Sequence, residues 1–163
     1  MKHELKSTRR WIIFFMIMLF LSGLTAMPVE GELGFLKDRI SATTVMGNWI
    51  HRVYEGVAAT NRDYPFIAYG YDWLAFAHFV LAVLFIGPLR DPIRNKWVIE
   101  FAMIACLLII PFAMIAGHFR GIPLGWRLID CSFGVLGLIP LAICRTKIIN
   151  IENLPAKHLS HEN

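Results

Sequence analysis

Four long apolar runs divide the chain, and a tryptophan stands at the start of each run. An indole favours the headgroup region of a bilayer, where its apolar ring and its polar N–H are both accommodated. A helix needs roughly 20 residues to cross a hydrocarbon core of about 30 Å, and each run is close to that length. The pattern therefore predicts four transmembrane helices. These predicted spans are residues 11–27, 73–89, 97–117 and 126–144, which begin at Trp11, Trp73, Trp97 and Trp126.

Residues 28–72 separate the first two spans and carry a different pattern. Apolar residues recur there at helical spacing on one side, and polar residues take the opposite side. This pattern predicts an amphipathic helix over about residues 42–58, with Ser41 or Thr43 as its N-cap. The helix would lie in the outer interface of the bilayer with Trp49 as its anchor; the alternative is a lid or a surface that docks a partner.

Composition supports a membrane protein. Of the 163 residues, 56% are hydrophobic and only 17% are charged, which is too apolar for a soluble domain of this size. The net charge of +4 does not indicate nucleic-acid binding, because the basic residues flank the apolar runs and no nucleic-acid-binding motif is present. We predict an all-α membrane protein with four transmembrane helices in an antiparallel bundle, plus one amphipathic interfacial helix in the first outer loop.

The distribution of lysine and arginine predicts the orientation in the bilayer. If the N-terminus is cytoplasmic, ten of these residues lie on the inner side and six on the outer side, counting Arg127 at the outer end of the fourth span. This asymmetry is typical of positive-inside insertion and indicates that both termini lie in the cytoplasm, as expected for a protein of the bacterial cytoplasmic membrane. The inner segments are then residues 1–10, 90–96 and 145–163, and the outer segments are residues 28–72 and 118–125.

The first span also fits a secretory signal peptide, because a basic start precedes its apolar stretch. Cleavage after Ala26, however, would place Leu24 where a small residue is favoured. The apolar run is also unbroken and rich in large side chains. We therefore expect residues 11–27 to remain attached as a signal-anchor helix.

Two ionisable residues lie inside the apolar runs at the same expected depth. His78 follows Trp73 and Asp130 follows Trp126, and a rise of about 1.5 Å per residue puts both about 6 to 8 Å inside the outer interface. A charge that faces lipid is costly, so we expect a hydrogen bond between the His78 ring and the Asp130 carboxylate, with Arg127 as a possible third member. Such a pair would fix the register of two helices or would form an outward-facing proton-exchange or ligand-binding site.

Further polar residues are expected near the same membrane face. His118 and Arg120 lie in the outer loop, and Asp72 directly precedes the second span. With the residues above they could recognise an anionic headgroup, a quinone or a small carboxylate. Each also has a plainer role, since Asp72 would cap the second span and Arg120 would be a solvated loop charge. At the inner face, Glu100 is expected to pair with Lys96, one turn away.

The sequence contains no motif for a catalytic site, a metal site or a cofactor. His78 and His118 are expected at different depths, which is a poor arrangement for the two axial ligands of a haem. Cys106, Cys131 and Cys144 also differ in depth, so we expect small packing residues and no disulfide.

Three classes of function remain. The first is a non-catalytic accessory or structural component of a membrane complex, with a membrane-protein partner or a second copy of the chain. The second is a small proton-coupled transporter or an outward-facing ligand-binding bundle that uses His78 and Asp130. The third is a membrane redox protein that uses a quinone or haem.

Overall fold

A computed structural model describes residues 2–159 of the chain, and this part consists of helices joined by short connections. Four segments are long and apolar enough to cross a membrane: His3–Thr25, Pro65–Arg90, Lys96–Phe119 and Leu124–Asn153. For the described residues, this confirms the prediction of an all-α protein with four helices that are long and apolar enough to span a membrane. The helices are α1 (Lys2–Thr25), α2 (Val29–Lys37), α3 (Val45–Asp63), α4 (Pro65–Leu84), α5 (Ile86–Arg90), α6 (Lys96–Phe119) and α7 (Leu124–Leu159).

The second membrane helix begins earlier than the apolar run suggests. It starts at Pro65, in the first turn, where a proline costs no helical hydrogen bond. The aromatic residues that follow allow the helix to continue without a break into the apolar run. Asp72 consequently lies inside α4, and the expectation that it caps this helix is wrong.

The last helix runs beyond Cys144, where the apolar run ends, and continues to Leu159. The turn between α6 and α7 contains Gly121, whose φ of +67° lies in the region that favours glycine. The N–H of Gly121 donates to the carbonyl of His118 (3.1 Å), and the N–H of Ile122 donates to that of Gly117 (2.9 Å). This pair of hydrogen bonds satisfies carbonyls at the end of α6 and turns the chain sharply into α7.

Helix α1 lies between two other membrane helices. It packs on α4 and on α7, while α6 packs on α7. In the described part of the chain, α4 and α7 make no extensive contact with each other. Buried residues from α1, the junction of α4 and α5, α6 and α7 form one core. They are Ile12, Phe15, Phe85, Val98, Ile99, Ala102, Cys106, Leu141, Cys144 and Ile148.

The segment between α1 and α4 forms two helices that pack on each other. The expected N-cap of α3, Ser41 or Thr43, is wrong: the helix starts at Val45, and the side-chain oxygen of Thr44 caps it by accepting a hydrogen bond from the N–H of Gly47 (2.9 Å). Glu30 of α2 accepts a hydrogen bond from Asn61 of α3 (2.6 Å). Helix α2 was not expected from the sequence, because it is short and contains two glycines that weaken helix propensity.

One end of the molecule is held by ion pairs between helices. Glu4 of α1 pairs with Lys147 of α7 (2.7 Å), and Lys96 of α6 pairs with Glu152 of α7 (2.8 Å). Glu100 pairs with Arg145 (3.0 Å), so the expected pair with Lys96 is not formed. We call these six residues the charged end: Glu4, Lys96, Glu100, Arg145, Lys147 and Glu152.

Candidate functional site

His78, the first candidate residue, faces α1. Its Nδ1 donates a hydrogen bond to the carbonyl of Leu74 in the same helix (2.8 Å), so Nε2 is left as the atom that can accept a proton. Helix α1 comes close at this level: a Cβ added at Gly23 would lie 2.9 Å from the Ala75 carbonyl and 3.0 Å from the His78 Cβ. Gly23 thus allows α1 to approach the backbone of α4 closely.

Arg127 holds α7 against α6. Its Nη1 donates to the carbonyl of Met114 (3.3 Å), and the aliphatic part of its side chain lies directly over Gly117. Any larger residue at position 117 would collide with this arginine. The Nε of Arg127 is buried and has no hydrogen-bond partner among residues 3–153.

His78 and Asp130 do not form the hydrogen bond that we expected between them. The two residues belong to α4 and α7, which are separated by α1. Among the described residues, Asp130 makes no ion pair with His78 or Arg127. The sequence placed both residues at one depth, but depth alone does not determine which helices are neighbours.

The remaining candidate residues are exposed. His118 is exposed at the end of α6, with its ring edge-on to Phe119 at a centroid distance of 5.8 Å. Arg120 is exposed in the next turn, and Asp72 is exposed within α4. None of the three makes an ion pair within the part of the chain that the structure describes.

A groove that the sequence did not predict lies between the start of α3 and the turn before α7. It has a volume of about 390 Å³ and is open to solvent. Met46 of α3 approaches Gly125 and brings the two elements together. The sequence indicated one wall of this groove, the polar face of α3 with Asn48 and Arg52. The opposite wall comes from the turn before α7, which is distant in sequence. The groove is lined by Ala42, Thr43, Thr44, Val45, Asn48, Trp49, Arg52, Gly121 and Pro123.

The groove contains hydrogen-bonding groups and an indole. Arg52 supplies a cationic donor and Asn48 an amide, while the hydroxyls of Thr43 and Thr44 are engaged in local hydrogen bonds. Its lining includes no carboxylate, imidazole or thiol that could act as a general base. The groove can therefore contact a polar molecule through Arg52 and Asn48.

Two of the buried thiols make contacts between helices. Cys131 of α7 lies 3.8 Å from the Ile110 carbonyl of α6, and Cys144 of α7 lies 3.7 Å from the Thr8 carbonyl of α1. All three cysteines are free and buried. Among the described residues, no group of three or more histidine, cysteine, aspartate or glutamate side chains is placed to hold a metal ion.

Within the described residues, polar contacts between the long apolar helices include the ion pairs of the charged end, the hydrogen bond from Arg127 to Met114 and the two thiol contacts. The chain matches no known protein family, no curated protein and no solved structure.

Proposed function

We propose that this protein is a non-catalytic accessory or structural component of a complex in the bacterial cytoplasmic membrane. The main support for this proposal is that polar side chains between the membrane helices form contacts from one helix to another. The ion pairs of the charged end, the Arg127 side chain and two thiols all join one membrane helix to another. Such contacts fix a rigid bundle, as a structural subunit requires, because polar contacts and close packing hold helices together in lipid.

We further propose an antiparallel bundle with both termini in the cytoplasm. Lysine and arginine are more frequent in the segments at the charged end than in the opposite segments, in keeping with positive-inside insertion. The proximity of Glu4 to Lys147 and of Glu100 to Arg145 supports this orientation of neighbouring helices. Helices α2 and α3 then lie on the external side.

Cysteine labelling tests this orientation. The three native thiols are buried, so background labelling is low. A membrane-impermeant maleimide is expected to label Glu55→Cys in α3 when the membrane is intact, whereas Ile93→Cys reacts only after permeabilisation. Both positions are exposed. Labelling of Ile93→Cys alone in intact cells would show that the orientation is inverted.

The cap formed by α2 and α3 is the surface that we propose for a partner outside the bilayer core. In α3, Ile50 is buried and Asn48, Arg52 and Glu55 are exposed, which supports the proposal of an amphipathic helix. Two large apolar side chains of this cap are exposed outside the four membrane spans, Phe35 at 57% and Val45 at 80%. Apolar side chains at such positions are suited to contact a second protein or another copy of this chain.

Photo-crosslinking and co-purification test the proposed role. A photoreactive amino acid at position 35 is expected to give one crosslinked product of fixed mass in native membranes. The same amino acid at Glu55, on the polar face of α3, is the matched control and is expected to give none. The protein isolated in mild detergent should have a mass well above the 18.6 kDa of one chain. A lone monomer without a crosslinked product would contradict the proposal.

The second candidate function, an outward-facing transporter or ligand-binding bundle, is favoured by the side chains of Arg127 and Asp130. Within the described residues, the Arg127 Nε is buried without a partner, and Asp130 makes no ion pair. Against this function, α1 separates His78 from Asp130. An Asp130→Asn variant separates the two functions, because an accessory subunit should keep its co-purifying partner, whereas a transporter should lose pH-dependent transport with its fold retained.

A further inference from the structure

Four exposed cations lie in the first turns of α1 and at the end of α5, beside the charged end. Lys6, Arg9 and Arg10 lie in α1, and Arg90 ends α5, which packs on α1. The Nη2 of Arg9 donates to the Arg90 carbonyl (3.0 Å), which connects the two helices. All four side chains are exposed. We call Lys6, Arg9, Arg10 and Arg90 the basic surface.

The charges at this end of the molecule are divided unequally between its two sides. On the side of α6 and α7, the cations Lys96, Arg145 and Lys147 each pair with a glutamate. None of the four cations of the basic surface pairs with a carboxylate within the described residues. Asp91 is the acid next to Arg90 in the sequence, and its Oδ1 accepts a hydrogen bond from the N–H of Arg94 (3.1 Å). The basic surface therefore retains a net positive charge.

An apolar ridge continues from the basic surface along the same side of α1. Ile13 and Ile17 follow Arg9 and Arg10 at helical spacing, and their exposed fractions are 44% and 51%. Both lie in a candidate membrane span, so lipid chains are their natural neighbours. A cationic cluster at the end of a lipid-facing ridge is complementary to a molecule with an anionic head and an apolar tail.

We propose that the basic surface binds the headgroup of an anionic phospholipid, whose acyl chain lies along Ile13 and Ile17. Guanidinium groups bind phosphate oxygens through directed, charge-assisted hydrogen bonds, and lysine adds a point charge. A free phosphate ion offers the same charge but cannot contact the ridge. The proposal requires membrane insertion and does not depend on the accessory role or on the identity of a partner.

Lipid binding to the full-length protein tests this proposal. Delipidated protein in a neutral detergent is titrated with phosphatidylglycerol, phosphatidylcholine or inorganic phosphate, and binding is followed by native mass spectrometry and thermal stability. We expect phosphatidylglycerol to bind and to raise the melting temperature, and the other two to do neither. The double variant Lys6→Gln/Arg10→Gln should bind phosphatidylglycerol roughly thirtyfold more weakly, because two basic residues at a membrane surface are lost.

The matched control removes two cations from the opposite end of the molecule. Arg52 and Arg120 are exposed, and the double variant Arg52→Gln/Arg120→Gln should keep the phosphatidylglycerol affinity of the original protein. The variant Lys6→Arg/Arg10→Lys preserves both charges and should also bind, which separates loss of charge from loss of folding. The proposal is overturned if both glutamine variants lose affinity equally, if neither does, or if phosphatidylcholine binds as well. Equal stabilisation by inorganic phosphate would indicate an adventitious ion only.

Discussion

Alanine at position 134 is expected to push α6 away from α7 and to lower the free energy of unfolding by about 2 kcal/mol or more. A Cβ added to Gly134 would overlap the carbonyl oxygen of Cys106 and would lie 3.3 Å from the Cβ of Ile109. A backbone carbonyl inside a helix cannot rotate away, so the two helices must separate. Separation is costly in lipid, where close van der Waals packing is a main source of helix association.

The chain offers matched glycines for comparison. Gly70 lies in α4, and a Cβ there would have no atom within 4 Å, so Gly70→Ala should raise stability by up to about 1 kcal/mol through helix propensity. A Cβ added at Gly137, one turn beyond Gly134, would lie 2.9 Å from the Sγ of Cys106. Because this is a side-chain atom that can shift, the Gly137→Ala variant should be intermediate.

Reversible unfolding of the three variants in one detergent measures their relative free energies of unfolding. Gly70→Ala should be the most stable, then Gly137→Ala, then Gly134→Ala. Equal stability of Gly134→Ala and Gly70→Ala would contradict the close approach of α6 and α7.

The four membrane spans could be predicted because each depends only on its own residues. A run of apolar side chains near 20 residues has to be helical in lipid, where no water is available to satisfy the backbone. The first and last residues of the helices were harder to predict from the sequence. Trp73 was a good marker of an apolar run, but α4 starts at Pro65 because the aromatic residues between them are also compatible with a helix.

The neighbours of each helix could not be predicted in this way. His78 and Asp130 were correctly assigned to membrane helices, yet their pairing required α4 to lie beside α7. Helix α1 occupies that position, and Gly23 permits its close contact with α4. The first span was judged by its own length and by its likeness to a signal peptide, and neither property indicates where it packs.

The ion pairs illustrate the same limit. The sequence favoured a pair between Lys96 and Glu100 because one helical turn separates them. Both instead pair with residues of α7, which is distant in sequence at this point. Spacing within one helix indicates which ion pairs that helix could form. Which pairs do form depends on the side chains of the neighbouring helix. The groove beside Trp49 was missed for the same reason, since the residues of its two walls belong to α3 and to the turn before α7.

Loss of α1 is expected to have the largest effect of any change considered, because this helix contacts both α4 and α7. A variant with a cleavable leader in place of residues 1–27 would keep the orientation of α4 in the membrane. It would, however, expose the face of α4 that packs on α1 in the complete protein. Ala75 and Ala82 on that face are buried in the complete protein. We expect this version to be degraded or to aggregate, as measured by its level in membranes and by size-exclusion chromatography.

Two isoleucines of α1 provide a graded form of the same test. Ile12 is 1% exposed within the core, whereas its sequence neighbour Ile13 is 44% exposed. Ile12→Ala should lower the free energy of unfolding by about 2 kcal/mol or more, because a packed side chain is replaced by a cavity. Ile13→Ala should change it by less than about 0.5 kcal/mol, since lipid chains fill the vacated space.

The position of α1 also bears on the processing of the N-terminus. A signal peptidase that cut after Ala26 would remove Ile12 and Phe15 from the core and Glu4 from its pair with Lys147. The intact mass of the membrane-bound protein should therefore include α1, in agreement with the signal-anchor expected from the sequence. A stable, folded protein that begins at Met27 would contradict this, and it would also require Ile12→Ala to be as harmless as Ile13→Ala. The two measurements together thus decide whether α1 is part of the folded bundle.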